Sequence, residues 1–149
     1  MQANKQNKEL QYNRETMKGV KAKLTRGIPK ESNITACDNS GAKIIHIISV
    51  RGAKTVKRRA PSASVSDFVT ASVISGTPEI RKQVVNAIIV RQKKEYRRSD
   101  GTRIKFEDNA AVIVKDKKGN PKGTLIKGPI AKEVADRWPA VSKLANIIV

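Results

Sequence analysis

Three acids in this sequence are the ones a Mg²⁺-dependent nuclease would recruit: Asp38, Glu107 and Asp108. Carboxylate oxygens of this kind hold the ion while it activates a water. Their spacing argues against that chemistry. Asp38 opens the turn Asp38-Asn39-Ser40-Gly41, where an Asx-type side chain serves nearby backbone groups. Glu107 and Asp108 are adjacent, so on a strand they point to opposite faces. The single histidine, His46, lies among isoleucines, and with the single cysteine, Cys37, it is too little for the usual zinc ligand set. Glycines are scattered, with no Walker or dinucleotide-type phosphate loop. No catalytic residue, metal site or cofactor is expected.

The cations have a different chemistry. The stretch "RGAKTVKRR" carries Arg51, Lys54, Lys57, Arg58 and Arg59 without an acid. A second stretch, "RQKKEYRRSDGTRIKFEDN", holds seven lysines and arginines around an Asp-Gly pair. Asp-Gly between segments able to pair is a strong hairpin signal. With Asp100 and Gly101 as a two-residue loop, Ser99 faces Thr102 and Arg98 faces Arg103. Lys94, Tyr96, Arg98, Arg103 and Lys105 then share one side of the ribbon, and Glu95, Arg97, Ile104 and Phe106 the other. Like charges directly opposite are destabilising. Facing guanidinium forks make sense if a phosphate lies between them. Tyr96 either stacks on a base or shields the neighbouring stems. The expected RNA contacts are Lys43, Arg51, Lys54, Lys57, Arg58, Arg59, Lys93, Lys94, Tyr96, Arg97, Arg98, Arg103 and Lys105.

These groups must be carried by a β-rich scaffold. Runs at Ile34 to Cys37, Lys43 to Val50, Asp67 to Ile74, Val84 to Gln92, Arg103 to Val114 and Gly123 to Ile126 read as strands between turn signals. Short strands at such spacing predict a small β-barrel or sandwich. Ile44, Ile45, Ile47 and Ile48 make one run apolar on both faces, as in a barrel wall covered from outside. After Gly128-Pro129 the period changes. Ile130, Val134 and Trp138 form a helical stripe that Pro139 ends or kinks. Val141, Leu144 and Ile148 are placed to continue it on one side of a further short turn. Residues 1–16 are poor in apolar groups and read as a flexible tail, with Met17 an alternative start.

The whole chain has 149 residues and a formal net charge of +18. That length fits one domain over residues 17–149, with a barrel and ribbon to residue 128 and helices after it. The charge points to a polyanionic partner, nucleic acid first. No apolar run approaches the roughly 18 residues of a membrane span. The N-terminal residues do not resemble an export signal, and one cysteine fits a reducing cytoplasm. Five aromatics (Tyr12, Phe68, Tyr96, Phe106, Trp138) are too few for a single-strand stacking platform. Recognition of a folded RNA by backbone and shape fits best. A free-standing RNA chaperone is the alternative, and a metal-dependent nuclease the remote one.

The segment "AIIVRQKKEYRRSDGTRIKFEDNAAVI" resembles the signature of the universal large-subunit ribosomal protein family numbered fourteen. Ala87, the Ile88-Ile89-Val90 run, Asp100-Gly101, Phe106, Asn109 and Val112-Ile113 carry the likeness. "DNSGAK", "VKRR", "GTPEIRKQV" and "GNPKGTLIKGPIAKEVADRWP" are similar to its archaeal and eukaryotic form, whose eukaryotic member is historically numbered twenty-three. The resemblance runs from Met17 to Val149. It implies a mainly β fold: a five-stranded β-barrel, a projecting β-ribbon and a short C-terminal helical part. It implies a non-enzymatic structural constituent of the large subunit in the cytoplasm. The partners it implies are large-subunit rRNA, small-subunit rRNA across an intersubunit bridge, and neighbouring ribosomal proteins, including the family numbered three and the twenty-four-type protein. An anti-association initiation factor, numbered six, is expected around Lys132 to Leu144, with Lys132, Asp136, Arg137 and Lys143 as the protein-facing residues. Two positions depart from the family pattern. Ser99 stands where Pro often precedes Asp-Gly, and Ser66 where a glycine is usual. If that glycine serves a turn with φ > 0, Ser66 is strained.

Overall fold

Five strands pair in succession until the sheet closes on itself. The computed structural model describes residues 24–149; the tail expected over residues 1–16 and the start at Met17 lie outside them. Nine strands are assigned among the described residues. They are β1 (Ile28–Pro29), β2 (Asn33–Ala36), β3 (Ala42–Val50), β4 (Ser62–Ala63), β5 (Phe68–Gly76), β6 (Val84–Arg91), β7 (Tyr96–Arg97), β8 (Arg103–Ile104) and β9 (Ala110–Val114). Two short helices follow, α1 (Lys132–Arg137) and α2 (Pro139–Ser142). Strands β2-β3-β5-β6-β9 form a closed barrel, sealed by the parallel pairing of Thr35 with Ala110 and Ala36 with Ala111. Closure leaves no sheet edge in the barrel. The expected mainly β, five-stranded barrel is the architecture found.

Two apolar layers result. Ile34, Ile45, Ile47, Val69, Ala71, Val73, Ala87, Ile89, Ala111 and Ile113 belong to one cluster, inside the barrel. Phe68, Ile88, Val90, Val112, Val114, Ile130, Val134, Trp138 and Val141 belong to the other, between the wall and the helices. Successive residues of β6 and β9 thus alternate between the clusters, so all five residues of β9 are buried. The wall covered from outside is therefore β6 and β9, not β3. On β3, Ile44 and Ile48 are 38% and 46% exposed, because the helices lie over the other strands. The α1 helix has only six residues, too few to persist alone, and its stability comes from burying Val134 and the flanking Ile130 and Trp138.

Three expected elements differ. The Arg103 to Val114 run breaks into β8 and β9, because Asp108 and Asn109 turn inward. Asp108 meets Arg91, and the Asn109 Oδ1 accepts the Lys93 N–H at 2.7 Å. Gly123 to Ile126 is no strand: only an isolated bridge between Asp38 and Ile126 forms, while the Thr124 N–H donates to the Asn39 Oδ1 at 2.7 Å. The C-terminal turn stops at Ser142, and Ile148 makes a parallel bridge with Ile130 rather than joining Val141 and Leu144 on a helix face.

Ser66 has φ +72, as a glycine-type turn demands. The turn is retained because its carbonyl accepts the Trp138 indole N–H at 3.0 Å and an Arg137 N–H at 3.3 Å. The Ser66 hydroxyl is buried and has no hydrogen-bond partner among the described residues. Ser66→Gly removes both the left-handed strain and the orphan hydroxyl. We expect a gain of about 1 kcal/mol, read from the urea midpoint. Loss of stability in that variant would mean that the serine makes a compensating contact.

Candidate nucleic-acid interface

The barrel sends both cationic segments out of one end. β3 finishes and β5 begins there, with Val50 paired to Val69. β6 also finishes there and β9 begins, with Ile89 opposite Ala111. The Arg51 to Ala60 segment leaves β3, and the ribbon fills the connection from β6 to β9. Arg51, Lys54, Lys57, Arg58 and Arg59 are all exposed, as is Val56 at 70%. None of the five is in an ion pair among the described residues. Arg51 lies over the Phe68 ring, 5.4 Å from its centroid, which fixes the root of the loop. Lys57 and Arg58 both have left-handed backbones, φ +56 and +60. Each costs about 1–2 kcal/mol for an L-residue. Lys43, on β3, is exposed near the other end of the barrel.

The ribbon register differs by one from the expected two-residue loop. Tyr96 pairs with Ile104 and Arg97 with Arg103. The Arg98 N–H donates to the Thr102 carbonyl at 2.9 Å, and the Gly101 N–H to the Arg98 carbonyl at 3.1 Å. The loop is thus Ser99-Asp100-Gly101. A two-residue type I′ loop needs φ > 0 at both central positions, and here only Gly101, at φ +88, has it. The Asp100 carboxylate instead accepts the Thr102 N–H at 2.9 Å and its hydroxyl at 2.6 Å, stabilising the longer turn. These bonds hold the Asp100 carboxyl below the usual carboxylate range.

A slip of one residue exchanges the faces. Arg98 is therefore not opposite Arg103, and it does not share Arg103's face. Tyr96 is buried, and its hydroxyl donates to the Glu133 Oε2 at 3.0 Å. Burial, then the adjacent Glu133 charge, push this hydroxyl well above the ordinary tyrosine range, so it remains a donor. Arg98 reaches Glu133 at 2.6 Å and the Val149 carbonyl at 2.6 Å. The Glu133 partnership raises the Arg98 pKa further. Of the two roles open to Tyr96, its burial removes base stacking in this conformation.

The opposite face keeps its cations. Arg97 and Arg103 lie directly across the ribbon from each other with Lys105 exposed on the same side, and Lys93 and Lys94 are exposed at the bend before β7. Arg103 also contacts Glu95 at 2.6 Å, an exposed pair of small energetic weight. Two arginines do face one another, but they are Arg97 and Arg103.

Arg91 was missed as a site organiser. It is buried although cationic, and the β-bulge between Ile89 and Arg91 re-aims it. Its guanidinium donates to both Asp108 oxygens at 2.8 and 3.0 Å, and to the carbonyls of Lys127 and Pro129, each at 3.0 Å. One side chain thereby ties the ribbon's returning strand to the approach to α1. Its only advance signal was an arginine ending an unbroken apolar run.

Two of the three candidate acids, Asp38 and Asp108, are engaged by the fold itself. The Asp38 Oδ2 accepts the Ile113 N–H at 3.0 Å and its Oδ1 the Ser40 hydroxyl at 2.8 Å. Burial raises the Asp38 pKa against these bonds. Asp108 pairs with Arg91, and Glu107 is exposed. His46 lies on β3, its Nδ1 2.9 Å from the Asn33 Oδ1. Cys37 is buried, which pushes its thiol up to about 12. Among the described residues, no three His, Cys, Asp or Glu side chains converge on a metal position. No described helix is long and apolar enough to cross a membrane.

Of the expected protein-facing residues, Lys132 and Lys143 are exposed and Asp136 is half-buried. Arg137 is tied inward, 3.5 Å from Asp67 and over the Trp138 ring at 5.6 Å.

Comparison with known proteins identifies a family. The family model described as "Ribosomal protein L14p/L23e" matches residues 27–149. The large ribosomal subunit protein uL14 of Methanococcus vannielii is 55% identical over 132 residues, covering 89% of this chain and 99% of the relative. The protein of the same name from Nanoarchaeum equitans is 52% identical over 133 residues, covering 89% of this chain and all of the relative. That from Halobacterium salinarum is also 52% identical over 133 residues, with the same coverage. The chain belongs to the ribosomal protein L14p/L23e family, and is thus a structural, non-enzymatic protein of the large ribosomal subunit.

Proposed function

We propose that this protein binds large-subunit rRNA with the Arg51 to Arg59 loop and the outer face of the ribbon. One observation carries the reading. Lys57 and Arg58 are held in left-handed backbones at the exposed tip of a loop whose cations lack acidic partners among the described residues. Self-repulsion and strain together are retained where a bound polyanion offsets them. On the ribbon, a phosphate between Arg97 and Arg103 relieves the same repulsion through bidentate contacts. Arg51, Lys54, Arg59, Lys93, Lys94 and Lys105 extend the surface, while Tyr96 and Arg98 shape the ribbon from behind. Lys43, away from this end, contacts a separate part of the RNA.

The protein works as one domain in the cytoplasmic ribosome. Its further proposed contacts are small-subunit rRNA across a bridge, neighbouring large-subunit proteins, and an anti-association initiation factor at the helices. Lys132 and Lys143 are the exposed cations there, with Asp136 beside them. Arg137 acts mainly by holding that surface to the Ser66 turn.

Salt dependence tests the RNA reading. In binding to large-subunit rRNA, replacing Lys57, Arg58 and Arg59 together by glutamine is expected to lower the slope of log affinity against log salt by about 2–3. Stability should hardly change, since all three side chains are exposed. An unchanged slope would mean that the loop touches no phosphate.

A further inference from the structure

The sequence contains one Asp-Gly pair, Asp100-Gly101, and no Asn-Gly pair. Such a dipeptide carries chemistry of its own. The glycine backbone nitrogen can attack the aspartate Cγ, because no Cβ on the glycine obstructs the approach. A C–N bond forms, the carboxyl hydroxyl and the Gly101 N–H proton leave as water, and a five-membered succinimide results. Water then reopens the ring at either carbonyl and yields aspartate or isoaspartate, with no redox step and no net gain of atoms. Asp100 and Gly101 are both exposed at the tip of the ribbon, where water has free access. The fold restrains both reacting groups. The Gly101 N–H is engaged, donating to the Arg98 carbonyl at 3.1 Å. The Asp100 Oδ1 accepts the Thr102 N–H at 2.9 Å and the Thr102 hydroxyl at 2.6 Å, which anchors the carboxyl group to Thr102. Those bonds also favour the carboxylate, whereas the attack needs a neutral carboxyl able to release its hydroxyl.

We propose that Asp100-Gly101 is a site of spontaneous isoaspartate formation, and that Thr102 is the residue that holds the reaction back. Neither step requires RNA, so the site stands apart from the function proposed above. The consequence falls on the ribbon. An isoaspartate adds one carbon to the main chain inside a loop closed by the Arg98 N–H to the Thr102 carbonyl at 2.9 Å. That closure sets the register, and the register decides that Arg97 faces Arg103 while Arg98 meets Glu133. Isomerisation at one residue therefore disturbs the outer cationic face and the docking to α1 together. It also makes the tip a substrate for a repair methyltransferase, which esterifies the isoaspartyl carboxylate with the methyl group of S-adenosylmethionine.

Incubation of the free full-length protein at physiological temperature and pH tests both halves. Isoaspartate is read in the tryptic peptide Ser99 to Arg103, whose two forms have equal mass but separate by chromatography against synthetic standards. Methyl uptake from labelled S-adenosylmethionine, catalysed by an isoaspartyl methyltransferase, checks the assignment. The native chain is expected to isomerise several-fold more slowly than the same chain unfolded in guanidinium chloride. Thr102→Val removes the hydroxyl bond at nearly constant shape and should raise the native rate several-fold, whereas Thr102→Ser keeps the hydroxyl and should stay near the parent rate. Amide exchange at Arg98 in the fresh valine variant separates a lost guard from an opened loop. Faster isomerisation with the Arg98 N–H still protected supports the role given to Thr102; faster isomerisation with that N–H freely exchanging overturns it in favour of general loosening. A valine variant that isomerises at the parent rate also overturns that role. Equal rates in the native and unfolded parent chain show that the loop guards nothing, and an unfolded chain that forms no isoaspartate at Asp100 removes the site itself.

Discussion

Glu133→Ala is expected to cost about 2–4 kcal/mol of folding stability. Glu133 and Arg98 are 10% and 17% exposed at the side chain and 2.6 Å apart. Deleting one member leaves the largely enclosed Arg98 guanidinium with only the Val149 carbonyl, and the Tyr96 hydroxyl loses its acceptor. Breaking such a pair is worse than never having it, because the remaining charge is already desolvated. The figure lies at or below the usual range for fully buried pairs because Arg98 retains some solvent. Tyr96→Phe is the control. It removes one neutral donor and leaves the ion pair, so about 1 kcal/mol is expected. Urea unfolding checks both values, and amide exchange across Tyr96 to Ile104 should accelerate in the alanine variant. A loss below about 0.5 kcal/mol would place the ribbon's support elsewhere, as for an ordinary surface pair. The same geometry means that Arg98→Glu is a stability variant, because it sets two carboxylates together. Arg97 and Arg103 are the ribbon positions at which charge reversal should test RNA binding without unfolding the barrel.

Arg91→Met should cost about 2–3 kcal/mol, mostly from the two carbonyls left without a donor, since the Asp108 carboxylate that remains is 45% exposed at the side chain. Methionine fills similar space but satisfies none of the four bonds to Asp108, Lys127 and Pro129. The two carbonyls lose their donor at a partly buried joint, and each unpaired group carries its own desolvation penalty. Arg91→Lys should recover only part of the loss, since a single ammonium cannot span a carboxylate and two carbonyls as a fork does. Both variants are read by urea unfolding. Near-native stability in Arg91→Met would show that the ribbon and the C-terminal segment dock without this clamp.

The barrel was legible because short β-rich runs recur between Gly, Pro, Asn and Asp turn signals, and the helical stripe because Ile130, Val134 and Trp138 recur every four residues. Ser66 was legible too: a serine at a glycine-type turn proved to have φ +72. The ribbon shows where reading stopped. Asp-Gly marks a hairpin, but whether its loop has two or three residues depends on whether Asp100 accepts φ > 0 or bonds to Thr102, and both are locally reasonable. That one choice decided which arginines face outward. Glu133 lies 35 residues from Arg98 in sequence, so no local pattern announces their pairing. Ile44 and Ile48 misled for a related reason. An apolar residue on a strand does not say whether anything covers it, and here the helices cover β6 and β9.

The central claim is that this chain is an integral part of the large subunit, held there by phosphate contacts. Sedimentation of tagged protein from cell extract, at moderate and then high salt, tests it most directly. Many simultaneous phosphate contacts, reinforced by a fitted RNA surface, predict co-migration with the large subunit at one copy per particle, resisting roughly half-molar salt. Release into light fractions as salt rises, without fixed stoichiometry, would contradict the account and leave a peripheral polyanion binder built on a ribosomal fold.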